Sequence, residues 1–398
     1  MLLFAHFLII MHHRNYYMKL LFSFIVLLCF AGCSNDKKEN KKLPLHDELH
    51  PTSFTFRTLE NDEALGYRKQ IEQLYDTLLG NTGFNGSIVV AKNGQILFED
   101  YRGYSNFDTK DTMTAETPLH LASASKTFTA MSILKLWEEH KLSLNDSLQK
   151  YFKGFPYKGI TIRSLLCHRS GLSNYLHAMT EWNQATKMTN KDVLNYFVEK
   201  QPTIAWPANT HFNYCNTNYV FLALIIEQVT GKSLKEYFSE TIFEPLGMKH
   251  SYLFTIADTS KYIPTLSVNK PFLMDAFDCT YGDKNVYSTP RDLLLWDKAI
   301  YEHRFLHKET TDMAFTPMSN EKESMHNYGL GWRLFFSNGD TLVYHNGKWH
   351  GSNILFNRWV QDTATVIVIG NKTNYNIYDM KMAGSIFTGH YDTTSLGE

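Results

Sequence analysis

The stretch from Leu121 to Ala130 reads Leu-Ala-Ser-Ala-Ser-Lys-Thr-Phe-Thr-Ala and is followed by apolar residues with mainly helical spacing. It puts Ser123 three residues ahead of Lys126, so a helix that begins at Ser123 would carry both side chains on one face. A serine at a helix start lies where free N–H groups favour developing negative charge. The stretch therefore predicts a nucleophilic serine with an amine beside it to carry its proton.

The spacing of Ser123 and Lys126 is not by itself sufficient evidence. The same Ser-x-x-Lys spacing recurs at Ser34, Ser132, Ser147, Ser267 and Ser319. Ser123 differs in its context, because an extended segment precedes it and an apolar helical pattern follows it. A serine with a purely structural role is the alternative interpretation.

Composition excludes several classes of function. The chain has 398 residues, of which 43% are hydrophobic, enough for one large domain or two smaller ones. Lys plus Arg total 39 and Asp plus Glu total 40, so no overall field attracts nucleic acid. Cys167, Cys215 and Cys279 form no C-x-x-C pair, which favours neither a zinc site nor a disulfide framework. We expect no metal, no cofactor and no nucleic-acid partner.

The N-terminal part of the sequence has the pattern of a secretion signal. Met18-Lys19 precedes twelve almost wholly apolar residues, and Phe30-Ala31-Gly32-Cys33 resembles a bacterial lipobox. We predict a signal peptide over residues 1–33, with Met18 as the true start and Cys33 as the lipid-carrying residue. An ordinary signal peptide or a buried apolar helix is the alternative. The protein would then be periplasmic or on the cell surface, anchored to a bacterial membrane.

The remaining sequence indicates a charged tether and one enzyme domain. Residues 34–61 begin with a run that lacks apolar side chains and are predicted to be flexible. Residues 62–398 form the predicted domain, which starts with a helix and a hairpin of strands 86–91 and 95–101 around Asn93-Gly94. Helical patterns dominate residues 123–280. A helix over 290–301, four strand-like runs between 331 and 370 and a closing helix over 380–387 follow. The pattern predicts an α+β fold, an antiparallel sheet flanked by helices plus a mostly helical region.

Two further clusters contain residues that can take part in catalysis. Tyr214-Cys215-Asn216 lies in a polar and aromatic loop directly before the apolar helix predicted at 220–229. A tyrosine can accept a proton only where neighbouring cations stabilise its anion, and Lys126 is the candidate cation. The segment from Tyr344 to Gly351 contains His345 and two glycines, which would allow a substrate backbone to approach closely. A loop whose side chains only satisfy backbone groups is the alternative for the first cluster.

In fixed order, the chain carries Ser123-x-x-Lys126, Tyr214-x-Asn216 and His345-x-Gly347, and it resembles the penicillin-recognising serine hydrolases, the beta-lactamase-related family. Residues 161–172, 243–248, 287–293 and 328–332 also resemble stretches of its class C, esterase and D-peptidase branch. The resemblance covers roughly residues 86–371.

This resemblance implies a cleft between the sheet and the helical region, with Ser123 as the nucleophile that forms an acyl-enzyme. Lys126 and Tyr214 would transfer protons, and Asn216 would orient Lys126 and the substrate amide. The N–H groups of Ser123 and Lys348 would form the oxyanion hole. Together with Gly347, His345 would line the far wall of the substrate site. The substrate would be a small molecule or derived from peptidoglycan.

The chain departs from the lactamase pattern in its third motif. His345-Asn346-Gly347 stands where β-lactamases have Lys-Thr-Gly, and histidine there is common among the esterases and peptidases of the family. A neutral His345 would favour uncharged esters or amides over substrates with a free carboxylate. We therefore predict a serine hydrolase for an ester or a D-amino-acid peptide. A β-lactamase proper and a non-catalytic cell-wall-binding lipoprotein are the alternatives.

Overall fold

An antiparallel sheet of eight strands lies at the centre of the structure, a computed structural model that describes residues 54–337 and 339–389. The strands of the described residues are β1 (Gly86–Lys92), β2 (Gln95–Arg102), β3 (Tyr104–Asn106), β4 (Asp111–Thr112), β5 (Leu119–His120), β6 (Tyr252–Leu253), β7 (Thr265–Ser267), β8 (Lys270–Phe272), β9 (Val286–Ser288), β10 (His326–Tyr328), β11 (Arg333–Ser337), β12 (Asp340–Tyr344), β13 (Gly347–Trp349), β14 (Ser352–Trp359) and β15 (Ala364–Gly370). The order in the large sheet is β10-β11-β12-β14-β15-β1-β2, and β13 pairs with β14. The first hairpin of the chain, β1 and β2, therefore forms one end of the sheet, and β1 pairs with β15, the last strand in the chain.

Helices cover both faces of this sheet and form a separate region between β5 and β6. The α-helices of the described residues are α1 (Asn61–Tyr75), α2 (Lys126–Glu138), α3 (Leu148–Tyr151), α4 (Ile162–Leu166), α5 (Tyr175–Ala178), α6 (Asn190–Lys200), α7 (Asn216–Thr230), α8 (Leu234–Phe238), α9 (Glu244–Leu246), α10 (Pro290–Tyr301), α11 (Lys308–Ala314) and α12 (Gly384–Thr388). Turns of 3₁₀-helix cover Ala122–Ser125, Ile256–Lys261 and Tyr375–Ala383, and π-turns cover Asp76–Gly80 and Ser239–Phe243. The predicted α+β class is confirmed.

The central strands bury both of their faces. In β1, Val89 and Ala91 belong to the core shared with the helical region, while Ile88 and Val90 belong to the core beneath α1 and the C-terminal helices. Because side chains alternate along a strand, a continuous apolar run serves two cores at once. The sheet is thus a rigid support between two hydrophobic layers.

Helices α2 and α7 pack against each other in the first of these cores. Helix α7 is buried all round from Thr217 to Ile226, as the apolar run in the middle of its sequence requires. Ser123 lies just before α2, and Tyr214 lies just before α7. The packing of the two helices brings these two segments together, and the Ser123 turn lies against β13 and β14.

Several sequence predictions match the observed elements closely. The hairpin at Asn93-Gly94 joins β1 to β2, with Asn93 at φ 51° and Gly94 at φ 67° as the turn requires. The helix predicted at 290–301 has those bounds, with Thr289 as its N-cap accepting from Asp292 N. The predicted strands at 352–356 and 365–370 are β14 and β15.

The observed elements differ from the prediction in three places. The helical region predicted to reach residue 280 gives way after α9 to short strands, among them the β7–β8 hairpin. The closing helix is a 3₁₀ segment followed by α12. At the end of the predicted tether, Phe54 and Phe56 pack against Tyr301, with ring centroids 5.6 Å and 5.8 Å away. Contacts between aromatic rings hold these last tether residues on α10.

The predicted signal peptide, Cys33 and most of the tether lie outside the described residues. Within residues 54–337 and 339–389, no helix combines the length and apolar character needed to cross a membrane.

Candidate active site

Ser123 lies on a tight 3₁₀ turn that leads into α2. The residue before it, Ala122, has φ 45°, a left-handed conformation that is unfavourable for a residue with a Cβ atom. The turn is held from the other side by Val286, whose N–H donates to Ser125 Oγ at 3.0 Å and whose carbonyl accepts from Leu121 N at 2.9 Å. The backbone around Ser123 is therefore fixed before any substrate binds.

Lys126 is fully buried directly behind Ser123. Its Nζ atom donates to Ser123 Oγ at 3.1 Å and to the backbone carbonyl of Asp283 at 2.7 Å. Both acceptors are neutral oxygen atoms. The amine is thus aimed at the serine hydroxyl without being neutralised by a direct ion pair.

Tyr214 lies beside Lys126 on the loop that begins α7. The Lys126 amine and the Arg333 guanidinium each lie 5.1 Å from its ring centroid. The ring also packs against His168 in a tilted arrangement, with ring centroids 4.3 Å apart, and His168 Nδ1 accepts from Cys215 N at 3.1 Å. Burial lowers the pKa of His168 well below its ordinary value, so a neutral imidazole supports the loop. The structure brings Ser123, Lys126 and Tyr214 together as the motifs predicted.

Gly347 lies close against the backbone of the Ser123 turn. A Cβ atom at this position would lie 2.6 Å from Leu121 O and 3.0 Å from Ser123 N. Only a glycine allows β13 to lie against the turn, so here the residue serves close approach rather than turn geometry. The next residue, Lys348, has an exposed side chain whose Nζ atom lies 4.7 Å from the ring centroid of Tyr375. The N–H groups of Ser123 and Lys348 consequently belong to adjacent backbone segments.

The positions of two predicted site residues differ from expectation. Asn216 begins α7 next to Tyr214, but the Lys126 amine is oriented by the Asp283 carbonyl and Ser123 rather than by Asn216. No hydrogen bond joins Asn216 to Lys126 among the described residues, and the contact of Asn216 with the substrate amide stays a prediction. A backbone carbonyl can be supplied by any residue type, so the sequence holds no signal for Asp283.

His345 does not line the cleft. Its side chain is completely buried, with Nε2 3.1 Å from Tyr328 Oη and Nδ1 2.8 Å from the Asn346 carbonyl oxygen. Burial, followed by the charges of Arg333 and Lys126, lowers its pKa well below the ordinary value. The prediction of a neutral imidazole agrees with this, but the predicted contact with substrate does not, because neighbouring side chains cover the ring.

A cleft of about 290 Å³ opens in front of Ser123. Its walls are formed by Ser123, Tyr214, Arg333, Leu342, Tyr344, Asn346, Gly347, Lys348, Asn357, Tyr375, Tyr378 and Lys381. Arginine and lysine contribute three of these side chains, and neither aspartate nor glutamate is among the described residues that line it. The cleft is therefore suited to an anionic group, and the half-buried Arg333 places its guanidinium beside the Tyr214 ring in this wall.

One group of possible metal ligands includes His350, the residue that directly follows β13. Asp275, Asp278 and His350 bring ligand-type atoms within 4.8 Å of one another. Asp278 Oδ1 already accepts from Trp349 Nε1 at 2.7 Å and lies 2.9 Å from His350 Nε2. These hydrogen bonds account for the group, and we assign no metal to it.

Comparison with known proteins agrees with this geometry. A family model described as Beta-lactamase matches residues 71–381. Penicillin-binding protein 4* of Bacillus subtilis is 30% identical over 82% of this chain and 77% of its own length. Teichoic acid D-alanine hydrolase of Staphylococcus aureus is 29% identical over 85% of this chain and 86% of its own. The solved structure of the octameric penicillin-binding protein homologue from Pyrococcus abyssi superposes with a TM-score of 0.71 at 26% identity, covering 82% and 79% of the two chains.

The fold and the matches together define the class, and the resemblance inferred from the three motifs is confirmed. The chain belongs to the beta-lactamase family. Within it, the protein is a serine hydrolase.

Proposed function

We propose that this hydrolase works through an acyl-enzyme on Ser123 and cleaves D-alanyl esters or amides whose leaving group carries an anion. The observation that carries the proposal is the 3.1 Å contact between Lys126 Nζ and Ser123 Oγ, in a cleft that Tyr214 also lines. Two relatives support the choice of substrate by their names, a penicillin-binding protein and a teichoic acid D-alanine hydrolase.

In the proposed mechanism, Ser123 Oγ attacks the carbonyl carbon while its proton passes to the pair formed by Lys126 and Tyr214. The N–H groups of Ser123 and Lys348 stabilise the oxyanion. The bond to the leaving group breaks, and the pair returns the proton to it. Water then attacks the ester on Ser123 by the same route, which releases the acid and restores the hydroxyl. The proton that the pair accepts from Ser123 goes to the leaving group, and the proton that it accepts from water goes back to Ser123 Oγ, so each half of the cycle balances by itself.

The charge of the cleft decides the leaving group. Arg333 stays protonated at all physiological pH values and presents a planar fork suited to a carboxylate or a phosphate. Lys348 and Lys381 add positive charge to the cleft. This reverses the preference for uncharged substrates predicted from His345, because a different residue supplies the cation.

The experiment compares kcat/KM for N-acetyl-D-alanyl-D-lactate, its uncharged methyl ester and the D-alanyl ester of glycerol phosphate. A hydrogen bond to a charged group predicts that the free carboxylate is favoured over its methyl ester by about tenfold or more. Arg333→Met should remove most of that preference and leave turnover of the methyl ester within about threefold. The third substrate distinguishes a phosphate-bearing polymer from a peptide as the source of the anion. Absence of turnover with all three would contradict the proposal.

The protein's proposed location is outside the cytoplasm, where a lipid on Cys33 would hold the protein to a membrane. The apolar run that ends in Ala31-Gly32 and the charged residues that follow support it.

A further inference from the structure

A charged pair that the mechanism does not use lies buried directly behind Lys126. The side chains of Asp283 and Lys284 are 2% and 3% exposed, and Lys284 Nζ lies 3.4 Å from Asp283 Oδ2. Tyr175 bridges the two, because its hydroxyl donates to Asp283 Oδ2 at 2.9 Å and accepts from Lys284 Nζ at 2.6 Å. Lys284 also donates to Thr280 Oγ1. The pair is closed off from solvent on the side away from the cleft.

The backbone segment that carries this pair, residues 282–286, is hydrogen-bonded to the turn that holds Ser123 and to the start of α2. Gly282 has φ 92°, and a Cβ atom there would lie 2.5 Å from the carbonyl oxygen of Tyr219 on α7. Residues 282–286 therefore fit tightly between α7 and the start of α2. Four hydrogen bonds connect this segment to the residues around Ser123. Thr129 Oγ1 donates to Gly282 O at 2.8 Å, and Lys126 Nζ donates to Asp283 O at 2.7 Å. Val286 N donates to Ser125 Oγ at 3.0 Å, and Leu121 N donates to Val286 O at 2.9 Å.

A buried pair of this kind is costly for the fold. Removing two charges from water costs several kcal/mol per ion, and a well-packed apolar pair is often as stable. Asp283 Oδ1 is moreover buried without a hydrogen-bond partner among the described residues. Burial lowers the pKa of Lys284, and the charge of Asp283 is the largest effect that raises it again. Stability alone is a poor explanation for keeping the pair.

The pair also reaches the strand that would form the oxyanion hole. Lys284 Nζ lies 4.7 Å from the ring centroid of Trp349, the residue directly after Lys348. The backbone oxygen of Asp283, in turn, holds the Lys126 amine. The pair therefore contacts Trp349 through the Lys284 amine and Lys126 through the Asp283 carbonyl.

We infer that Asp283 and Lys284 form a positioning pair for Lys126, in which Lys284 balances the carboxylate beside the catalytic amine and fixes the carbonyl that holds it. The inference rests on the proposed function of Lys126 in proton transfer. Without Lys284, the uncompensated carboxylate would favour the protonated form of the Lys126 and Tyr214 pair, which must release a proton to act as a base. Without the Asp283 carboxylate, the charge of Lys284 would instead favour the deprotonated form of the Lys126 and Tyr214 pair.

Other charged and titratable groups face the pair and are unchanged in the test. Lys126 faces it from α2, Tyr175 from α5, and Asp278 from the loop before β9. Asp275 lies further out and acts on Tyr175. None of these is altered in the variants below.

The test measures the acidic limb of the pH profile of kcat/KM for Lys284→Met, Asp283→Asn and the double variant, each in the full chain. We expect the limb to move to higher pH in Lys284→Met and to lower pH in Asp283→Asn. Lys284→Met should also lose about tenfold in kcat, with KM within about twofold of wild type. The double variant, which has no net charge change, should return the limb close to its wild-type position.

Arg358→Met is the matched control, because Arg358 forms a buried pair with Asp297 at 1% and 3% exposure outside the catalytic contacts. Loss of that pair should lower stability without moving the limb. Shifts of Lys284→Met and Asp283→Asn in the same direction, or none in either, would overturn the inference. If Lys284→Met does not fold, the direction of the Asp283→Asn shift decides. Failure of the wild type to react with a fluorophosphonate at Ser123 would instead contradict the proposed function itself.

Discussion

Lys126 Nζ lies 3.1 Å from Ser123 Oγ, and the same amine lies 2.7 Å from the Asp283 carbonyl oxygen. The turn between Ser123 and Lys126 fixes the first distance, while residues distant in sequence fix the second. A hydrogen bond from a buried amine to a serine hydroxyl is a geometry in which the proton of the nucleophile can be exchanged during attack. The functional proposals made for this protein depend on this contact.

Gly347→Ala should lower kcat by about 100-fold, because the added Cβ atom would collide with Leu121 O and approach Ser123 N. The N–H of Ser123 would move away from the oxyanion. The matched control is Gly66→Ala on α1, where no atom lies within 4 Å of the added Cβ atom. Steady-state kinetics checks the prediction, and a Gly347→Ala variant with kcat within about threefold of wild type would contradict it.

His345→Asn should leave substrate preference unchanged, because His345 is buried behind the cleft wall. The ratio of kcat/KM for a carboxylate substrate to that for its methyl ester should stay within about twofold of wild type. In Arg333→Met, the same ratio should fall by about tenfold or more. A loss of the carboxylate preference in His345→Asn would contradict this and would show that His345 contacts the substrate.

The free energy of unfolding should fall as the protein is acidified below about pH 6.5. Burial lowers the pKa of His120 to about 4 and the pKa values of His168 and His345 well below normal. The unfolded chain therefore binds protons that the folded chain does not, so this stability is present above the unfolded pKa and is lost as pH falls towards the folded one. Protonation of His120 alone should lower the free energy of unfolding by about 3 kcal/mol when the pH falls to about 4.

Urea unfolding of His120→Gln at neutral and acidic pH measures that contribution. The variant should lose less stability on acidification than wild type, and His177→Gln, at an exposed position, should match wild type. Equal acid sensitivity of wild type and His120→Gln would contradict the assignment.

Cys33 should be the first residue of the mature protein and should carry lipid. Mass spectrometry of protein isolated from its native membrane checks this. Cys33→Ala should release the protein from the membrane fraction. An abundant mature form that retains peptide upstream of Cys33 would refute the prediction.

Local signals in the sequence were sufficient for much of the fold. Asn93-Gly94 defines a hairpin within four residues, and Thr289-Pro290 with Asp292 defines a helix start in the same way. The three motifs identified the family because their residue types and order are specific. In each case, the deciding interaction lies between residues close in the chain.

The errors concern interactions between distant residues. His345 is covered by Tyr328 from β10, and no pattern around His345 reports that contact. The Asp283 carbonyl replaces the expected Asn216 because backbone atoms do not depend on residue type. A signal for Arg333 was missed in the sequence, namely a charged residue directly after an apolar one at the start of a predicted strand. In the structure Trp332 is buried, and Arg333 pairs with Tyr344 across β11 and β12.

The most direct test of the account is intact-protein mass spectrometry after reaction with a fluorophosphonate, followed by peptide mapping. Wild type should gain one adduct, on Ser123, and folded Ser123→Ala should gain none. Ser125→Ala is the control, because Ser125 is buried and accepts a hydrogen bond from Val286 N. It should still be labelled on Ser123 while losing about 1 to 3 kcal/mol of stability. An adduct that persists in folded Ser123→Ala, or that maps to another residue in wild type, would contradict the assignment of Ser123 as the nucleophile.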